Sequence, residues 1–108
     1  MKADAVRGHV DAMLLGVLES GPLHGYAIIE AVTRRSGGTL DLAAGTIYPS
    51  LHRLERSGML SSSWTTVGGR RRRSYALTDA GRGQLQSERA EWRQFSATIG
   101  AVLGEAPA

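Results

Sequence analysis

The sequence predicts an α+β fold that is mostly helical: three short helices, a β-hairpin and one long C-terminal helix. Three observations predict it. Apolar residues recur at helical spacing in three successive segments before Gly58. The pattern then changes to that of a hairpin around Gly68-Gly69. From residue 78 onward, a heptad-like spacing runs almost to the end of the chain.

The first helix is expected over residues 4–20. Val10, Met13, Leu14, Val17 and Leu18 make one apolar stripe, and Asp11 and Glu19 fall off it. Gly21-Pro22 ends it, because proline cannot continue the hydrogen-bond ladder. A second helix is expected over residues 25–35, with Tyr26, Ile29 and Val32 or Thr33 on one face, Ile28 widening it, and Arg34-Arg35 in the last turn. Gly37-Gly38 closes it, and residues 40–43 form a connector with a brief extended segment. The third helix runs over residues 44–57, with Ile47, Leu51 and Leu54 inward and a bend expected at Pro49. Residues 59–67 read as a strand, Gly68-Gly69 as a turn that Arg70, Arg71, Arg72 and Arg73 continue, and residues 74–77 as the returning strand. Thr78 is the N-cap of the last helix, which carries Leu85, Glu88, Trp92, Phe95, Ile99 and Val102 on one seam with Leu103 alongside. The end of the chain, from Glu105 through Ala106, Pro107 and Ala108, is expected to be loose.

Composition narrows the function. With 108 residues the chain closes one core and has no room for separate cofactor and substrate domains. It has no cysteine, which excludes disulfide scaffolds, cysteine-ligated zinc and thiol catalysis. No apolar run approaches a membrane span, and Met1 leads into Lys2, Asp4 and Arg7 rather than into a signal peptide, so a cytoplasmic location is expected. The charge is unevenly spread. Residues 52–82 hold seven arginines against Glu55 and Asp79, whereas the rest of the chain is slightly acidic. A polyanionic partner follows from that asymmetry once the arginines are placed on structure.

Three helices followed by a hairpin make a winged helix-turn-helix. Residues 1–77 are expected to form this DNA-binding unit and residues 78–108 a C-terminal dimerisation helix. The third helix is the reading element: its outer face offers Thr46, Tyr48, Pro49, Ser50 and Arg53 to phosphates or base edges in the major groove. Gly69 and the four arginines after it form a flexible cationic tip suited to a minor groove or phosphate ridge. Tyr26 of the second helix completes the expected DNA-contact set. A seam holding Leu85, Trp92, Phe95, Ile99, Val102 and Leu103 has no partner left within so small a monomer, which points to a homodimer.

The motifs carry a family resemblance. Leu14-Leu15-Gly16-Val17-Leu18 with Gly21-Pro22-Leu23-His24-Gly25-Tyr26 resembles the first two helices of the PadR family of bacterial transcriptional regulators. Ala44-Gly45-Thr46-Ile47-Tyr48-Pro49-Ser50-Leu51-His52-Arg53-Leu54-Glu55 resembles its recognition helix. Gly69-Arg70-Arg71-Arg72-Arg73-Ser74-Tyr75-Ala76-Leu77-Thr78-Asp79-Ala80-Gly81 resembles its wing and the start of its last helix. The resemblance covers residues 14–95 and implies a homodimeric winged-helix repressor on a pseudo-palindromic operator. The single C-terminal helix resembles the short-tailed branch, which includes a lactococcal multidrug-binding repressor. That likeness implies that Trp92 of each subunit borders a space for a planar effector; Glu88, one turn earlier on the same face, could attract a cationic one or simply face solvent at the rim. One departure stands out: Ala43-Ala44 replaces the family's Ser-Pro before the third helix. An alanine N-cap is weaker by about 1 kcal/mol, so this helix is expected to start less sharply.

Other readings stay open on residues alone. The two Trp92 rings of a dimer could close on each other or on the first helix and leave no effector site. The regulator could also be an activator, or the winged helix could dock on a protein instead of DNA. Four consecutive arginines discriminate against that last reading. His52 and Glu55 are spaced as a metal pair, but no second pair completes a shell. His24 reads as a turn or capping residue. Gly68-Gly69-Arg70 lacks a phosphate-loop pattern, and Ser61, Ser62 and Ser63 have no base beside them. Trp64 is expected to pack against the core of the wing. No enzyme activity, cofactor or metal is expected.

Overall fold

A computed structural model describes residues 1–105; of the loose end expected from Glu105 to Ala108, residues 106–108 lie outside them. After a 3₁₀ turn over Ala3–Val6, the chain runs α1 (Val10–Val17), β1 (Leu23–His24), α2 (Gly25–Arg35), α3 (Ala44–Arg56), β2 (Leu60–Val67), β3 (Arg70–Leu77) and α4 (Asp79–Leu103). The three strands form one antiparallel sheet in the order β1-β3-β2. This is the winged helix-turn-helix with a long C-terminal helix that the sequence predicts.

The core lies where the three short helices meet the base of the sheet. Leu14, Leu15 and Leu18 of the α1 segment, Ile28 of α2, Ile47 and Leu51 of α3 and Tyr75 of β3 are fully buried. Each such aliphatic side chain contributes about 1.5–3 kcal/mol by leaving water. Burial, with the Glu55 carboxylate adding to it against the opposing effect of Arg73, pushes the Tyr75 phenol above its usual value. A phenol raised on folding is protonated in both states at neutral pH, and its contribution is lost as the pH climbs past about 10 toward the raised folded value. Tyr75→Phe should therefore flatten the alkaline end of the stability profile, measured by thermal melts between pH 8 and 11.

Helix ends follow local chemistry. His24 caps α2, its Nδ1 accepting from the Ala27 amide at 3.2 Å. Thr78 caps α4 by accepting from the Gly81 amide at 3.0 Å, and its hydroxyl donates to the Gly58 carbonyl at 2.6 Å. Ala43 gives α3 no side-chain cap, as its sequence implies. At Gly81 a β-carbon would stand 2.0 Å from the Met59 carbonyl oxygen, so only glycine lets α4 start against the base of β2. Gly81→Ala should cost about 1–3 kcal/mol, as overpacking does elsewhere. A melting temperature equal to wild type would contradict this packing.

In its elements and core the structure departs from the sequence reading in five places. The first helix is not continuous over residues 4–20: Gly8, at φ +86°, breaks it before α1 starts, and the end relaxes into short-range bonds after Val17. In α2 the inward face is Gly25, Ile28, Ala31 and Val32, while Tyr26 and Thr33 are exposed. Gly25 sets that rotation, since Tyr48 of α3 approaches so closely that a β-carbon there would stand 2.5 Å from its ring. Residues 40–43 form no strand; the brief extended piece is Leu23–His24, pairing with Tyr75 and Ser74. The wing arginines belong to a strand rather than a flexible tip. Gly68 and Gly69 both take positive φ, which closes a two-residue turn whose twist matches the hairpin, so pairing begins at once with Val67 opposite Arg70. Finally, Leu85 joins the core, so the packed unit runs beyond residue 77 into α4.

Candidate nucleic-acid interface

The outer surface of α3 and the wing are tied into one face. Glu55 on α3 accepts from the Ser62 hydroxyl of β2, Arg73 Nε of β3 donates to the same hydroxyl at 2.9 Å, and the Arg73 guanidinium lies 3.6 Å from Glu55. The register places Arg73 opposite Trp64 and Arg71 opposite Thr66, so Arg71, Arg73 and Trp64 share one face of the hairpin. Their guanidinium carbons stand 5.0 Å (Arg71) and 5.4 Å (Arg73) from the Trp64 ring centre. Arg70 and Arg72 occupy the opposite face. Trp64 is thus exposed and stacked against cations rather than packed in the wing's core.

Among the expected DNA-contact residues, Tyr26, Pro49, Gly69, Arg70, Arg71 and Arg73 are exposed, and Thr46, Tyr48 and Arg72 are half-buried. Tyr48 packs over Gly25, its ring tilted against His52 at 6.5 Å. Ser50 is a correction: it is buried, and its hydroxyl donates to the Thr46 carbonyl at 3.2 Å. It stands three residues after Ile47 and four before Leu54, on the same inward stripe, so its side chain serves the helix and not a ligand. Arg53 is exposed but engaged, with Nη2 donating to Asp11 of α1 at 2.7 Å. Sequence reasoning missed Asp11 as a partner because 42 residues separate the two. Among the described residues Arg56, Arg70, Arg71 and Arg72 form no ion pair.

A second surface lies along α4. Trp92, Phe95, Ile99, Val102 and Leu103 are exposed large apolar side chains. Leu85, expected on this seam, is only 3% exposed, because α4 crosses α1 there and covers it within the same chain. Arg89 fixes that crossing with two hydrogen bonds to the Glu19 carboxylate, at 2.8 and 2.7 Å. They hold Glu19 below the usual carboxylate range and raise Arg89 in turn. Beside the crossing, a groove of about 710 Å³ opens between α4 and the N-terminal segment. Trp92 and Phe95 stack at 5.9 Å on its wall, His9 meets Trp92 edge-on at 5.6 Å, and Glu88 and Glu91 border it. Gln84 donates to Glu88 at 2.9 Å.

No metal cluster of three or more histidine or acidic side chains exists among the described residues, and none of their helices is long and apolar enough to cross a membrane.

Comparison with known proteins agrees with this architecture. The profile of the Transcriptional regulator PadR-like family matches residues 14–87. Transcriptional regulator Rv3488 of Mycobacterium tuberculosis is 38% identical over 85 residues, covering 79% of this chain and 73% of that protein. Among solved structures, a PadR family transcriptional regulator from Eggerthella lenta superposes with a TM-score of 0.80 at 30% identity, covering 93% of this chain and 86% of that one. Bacillus subtilis PadR in complex with operator DNA matches with a TM-score of 0.66 at 29% identity, covering 72% of this chain and 45% of that one. The chain therefore belongs to the PadR-like family of transcriptional regulators and is not an enzyme.

Proposed function

We propose that this protein is a homodimeric repressor that binds a pseudo-palindromic operator. In this reading α3 enters the major groove with Thr46, Tyr48 and Pro49 leading, and the wing lays Arg70, Arg71 and Arg72 along the adjacent backbone. The observation that carries it is the Glu55–Ser62–Arg73 connection, which makes the reading helix and the cationic wing one surface. The likeness to a PadR solved on operator DNA supports the same docking. Dimerisation through α4 would cover the exposed Trp92, Phe95 and Ile99 and set two copies of α3 about a two-fold axis. Selection from a random-sequence duplex library tests this: an inverted repeat with half-sites about one helical turn apart should be enriched. A single unrepeated motif, or no enrichment, would count against the reading, and the latter would favour a protein-docking winged helix. A reporter gene behind the enriched sequence reads the sign of regulation, with repression expected.

The groove favours a second element of function, release by a planar cationic effector. Trp92 and Phe95 give an aromatic wall, and Glu88 and Glu91 supply negative charge at its border. A planar cationic dye should quench tryptophan emission, and Trp92→Ala should abolish the response while DNA binding persists. Trp64, on the wing, is the internal control. Quenching that survives Trp92→Ala but disappears in Trp64→Phe would place the dye on the wing and remove the effector from this groove.

A further inference from the structure

We propose that Asp11 and Glu55 are positioning residues for DNA recognition, which hold Arg53 and Arg73 so that these two arginines discriminate between sequences rather than add general attraction. The inference rests on the operator-binding reading above and assigns two acids a part in it.

The basic surface holds two kinds of arginine. Arg70, Arg71 and Arg72 have no acidic partner among the described residues: Arg70 and Arg72 can follow any phosphate, and Arg71, stacked on Trp64, has no carboxylate to fix its N–H edge. Phosphate contacts of this kind are sequence-blind and give binding its salt dependence. Arg53 and Arg73 are different. Each is held by a carboxylate on a different element: Asp11 of α1 takes Arg53 of α3 at 2.7 Å, and Glu55 of α3 takes Arg73 of β3 both directly and through Ser62. Trp64 covers a face of the Arg73 guanidinium as it does that of Arg71, so the carboxylate is what sets Arg73 apart. A guanidinium bound along one edge keeps further N–H donors in a fixed fork. Such a fork adds its hydrogen bonds only where the duplex brings a phosphate or a guanine edge into its reach. Both acids also sit against a surface that meets a polyanion, where each lowers attraction to every duplex alike. Acids in that position raise selectivity at the cost of bulk affinity.

The two possible roles of these acids have different signatures. If they act only as charges, Asp11→Asn and Glu55→Gln strengthen binding to all duplexes by one common factor. If they hold the arginines, the gain appears on unrelated DNA and is missing or reversed on the cognate sequence. Both pairs are partly exposed, so a change of about two- to fivefold in the ratio is expected for each variant.

The experiment measures affinities of wild type, Asp11→Asn and Glu55→Gln for two duplexes of equal length. One is the duplex most enriched by the wild-type protein from a random library, and the other is an unenriched sequence. Each variant should lower the ratio of enriched to unenriched affinity, and in an Arg53→Ala background Asp11→Asn should leave the ratio unchanged. Equal gains on both duplexes would overturn the proposal, as would an effect of Asp11→Asn that persists without Arg53. A variant that loses the wild-type thermal melt would assign its pair to folding and overturn the proposal for that residue. A wild-type protein that enriches no sequence would instead defeat the operator-binding reading itself, and this inference with it.

Discussion

Replacing Arg70, Arg71, Arg72 and Arg73 together by Ala should lower affinity for unrelated duplexes by roughly a hundredfold to a thousandfold at moderate salt, and for the cognate duplex by more, because it also loses Arg73. The four lie on both faces of β3, and three of them have no acidic partner among the described residues. Each phosphate that the protein no longer neutralises should take about 0.9 from the slope of log affinity against log salt, so a fall of about 3 is expected. The hairpin itself should survive, because its turn is made by Gly68-Gly69 and its buried anchors are Leu60, Tyr75 and Leu77 at the base. An unchanged salt slope in a folded variant would remove the wing from the electrostatic interface.

Phe95→Glu should give a folded monomer that binds the operator poorly. Phe95 is 51% exposed in the single chain, where its aromatic neighbours are Trp92 and His9. The charge therefore costs the monomer core nothing, since that core ends at Leu85. In a dimer the same carboxylate would lie unpaired in an apolar seam, at a cost of several kcal/mol. Sedimentation should show monomer at micromolar concentration with a melt governed by the same core, and operator affinity should fall because the half-sites are no longer held together. A Phe95→Glu protein that stays dimeric would place the interface elsewhere. Ile99→Glu, one turn further on, should behave alike.

What the sequence made legible were elements with a long one-sided apolar period. The positions of α2, α3 and α4 follow from stripes such as Ile47, Leu51 and Leu54, from the Thr78 cap, and from Gly58, whose φ of +83° ends α3. The family motifs lie on those same elements, which is why the fold and the reading surface can be named together. Features set by interactions across the chain escape such reading. A two-residue strand such as β1 has no period to detect. The rotation of α2 depends on Tyr48 reaching Gly25, which no local pattern encodes. Ser50 misleads because its hydroxyl suggests a ligand, although its spacing from Ile47 already puts it on the buried stripe. Leu85 fits a heptad seam equally well whether its partner is α1 or a second chain, and only the α1–α4 crossing decides between them. The ties of Asp11 to Arg53 and of Glu55 to Arg73 are likewise invisible to spacing, because each joins separate elements.

Two-chain occupancy of one inverted repeat can be read most directly by titrating wild-type protein onto an enriched duplex and onto the same duplex with one half-site scrambled. Sedimentation of the labelled DNA should give two chains per intact duplex. Scrambling should lower affinity by at least about a hundredfold, as expected when several base pairs are mismatched at about 1–3 kcal/mol each. One chain per duplex with the same affinity for intact and scrambled DNA would contradict a two-fold reader built on α3, the wing and α4.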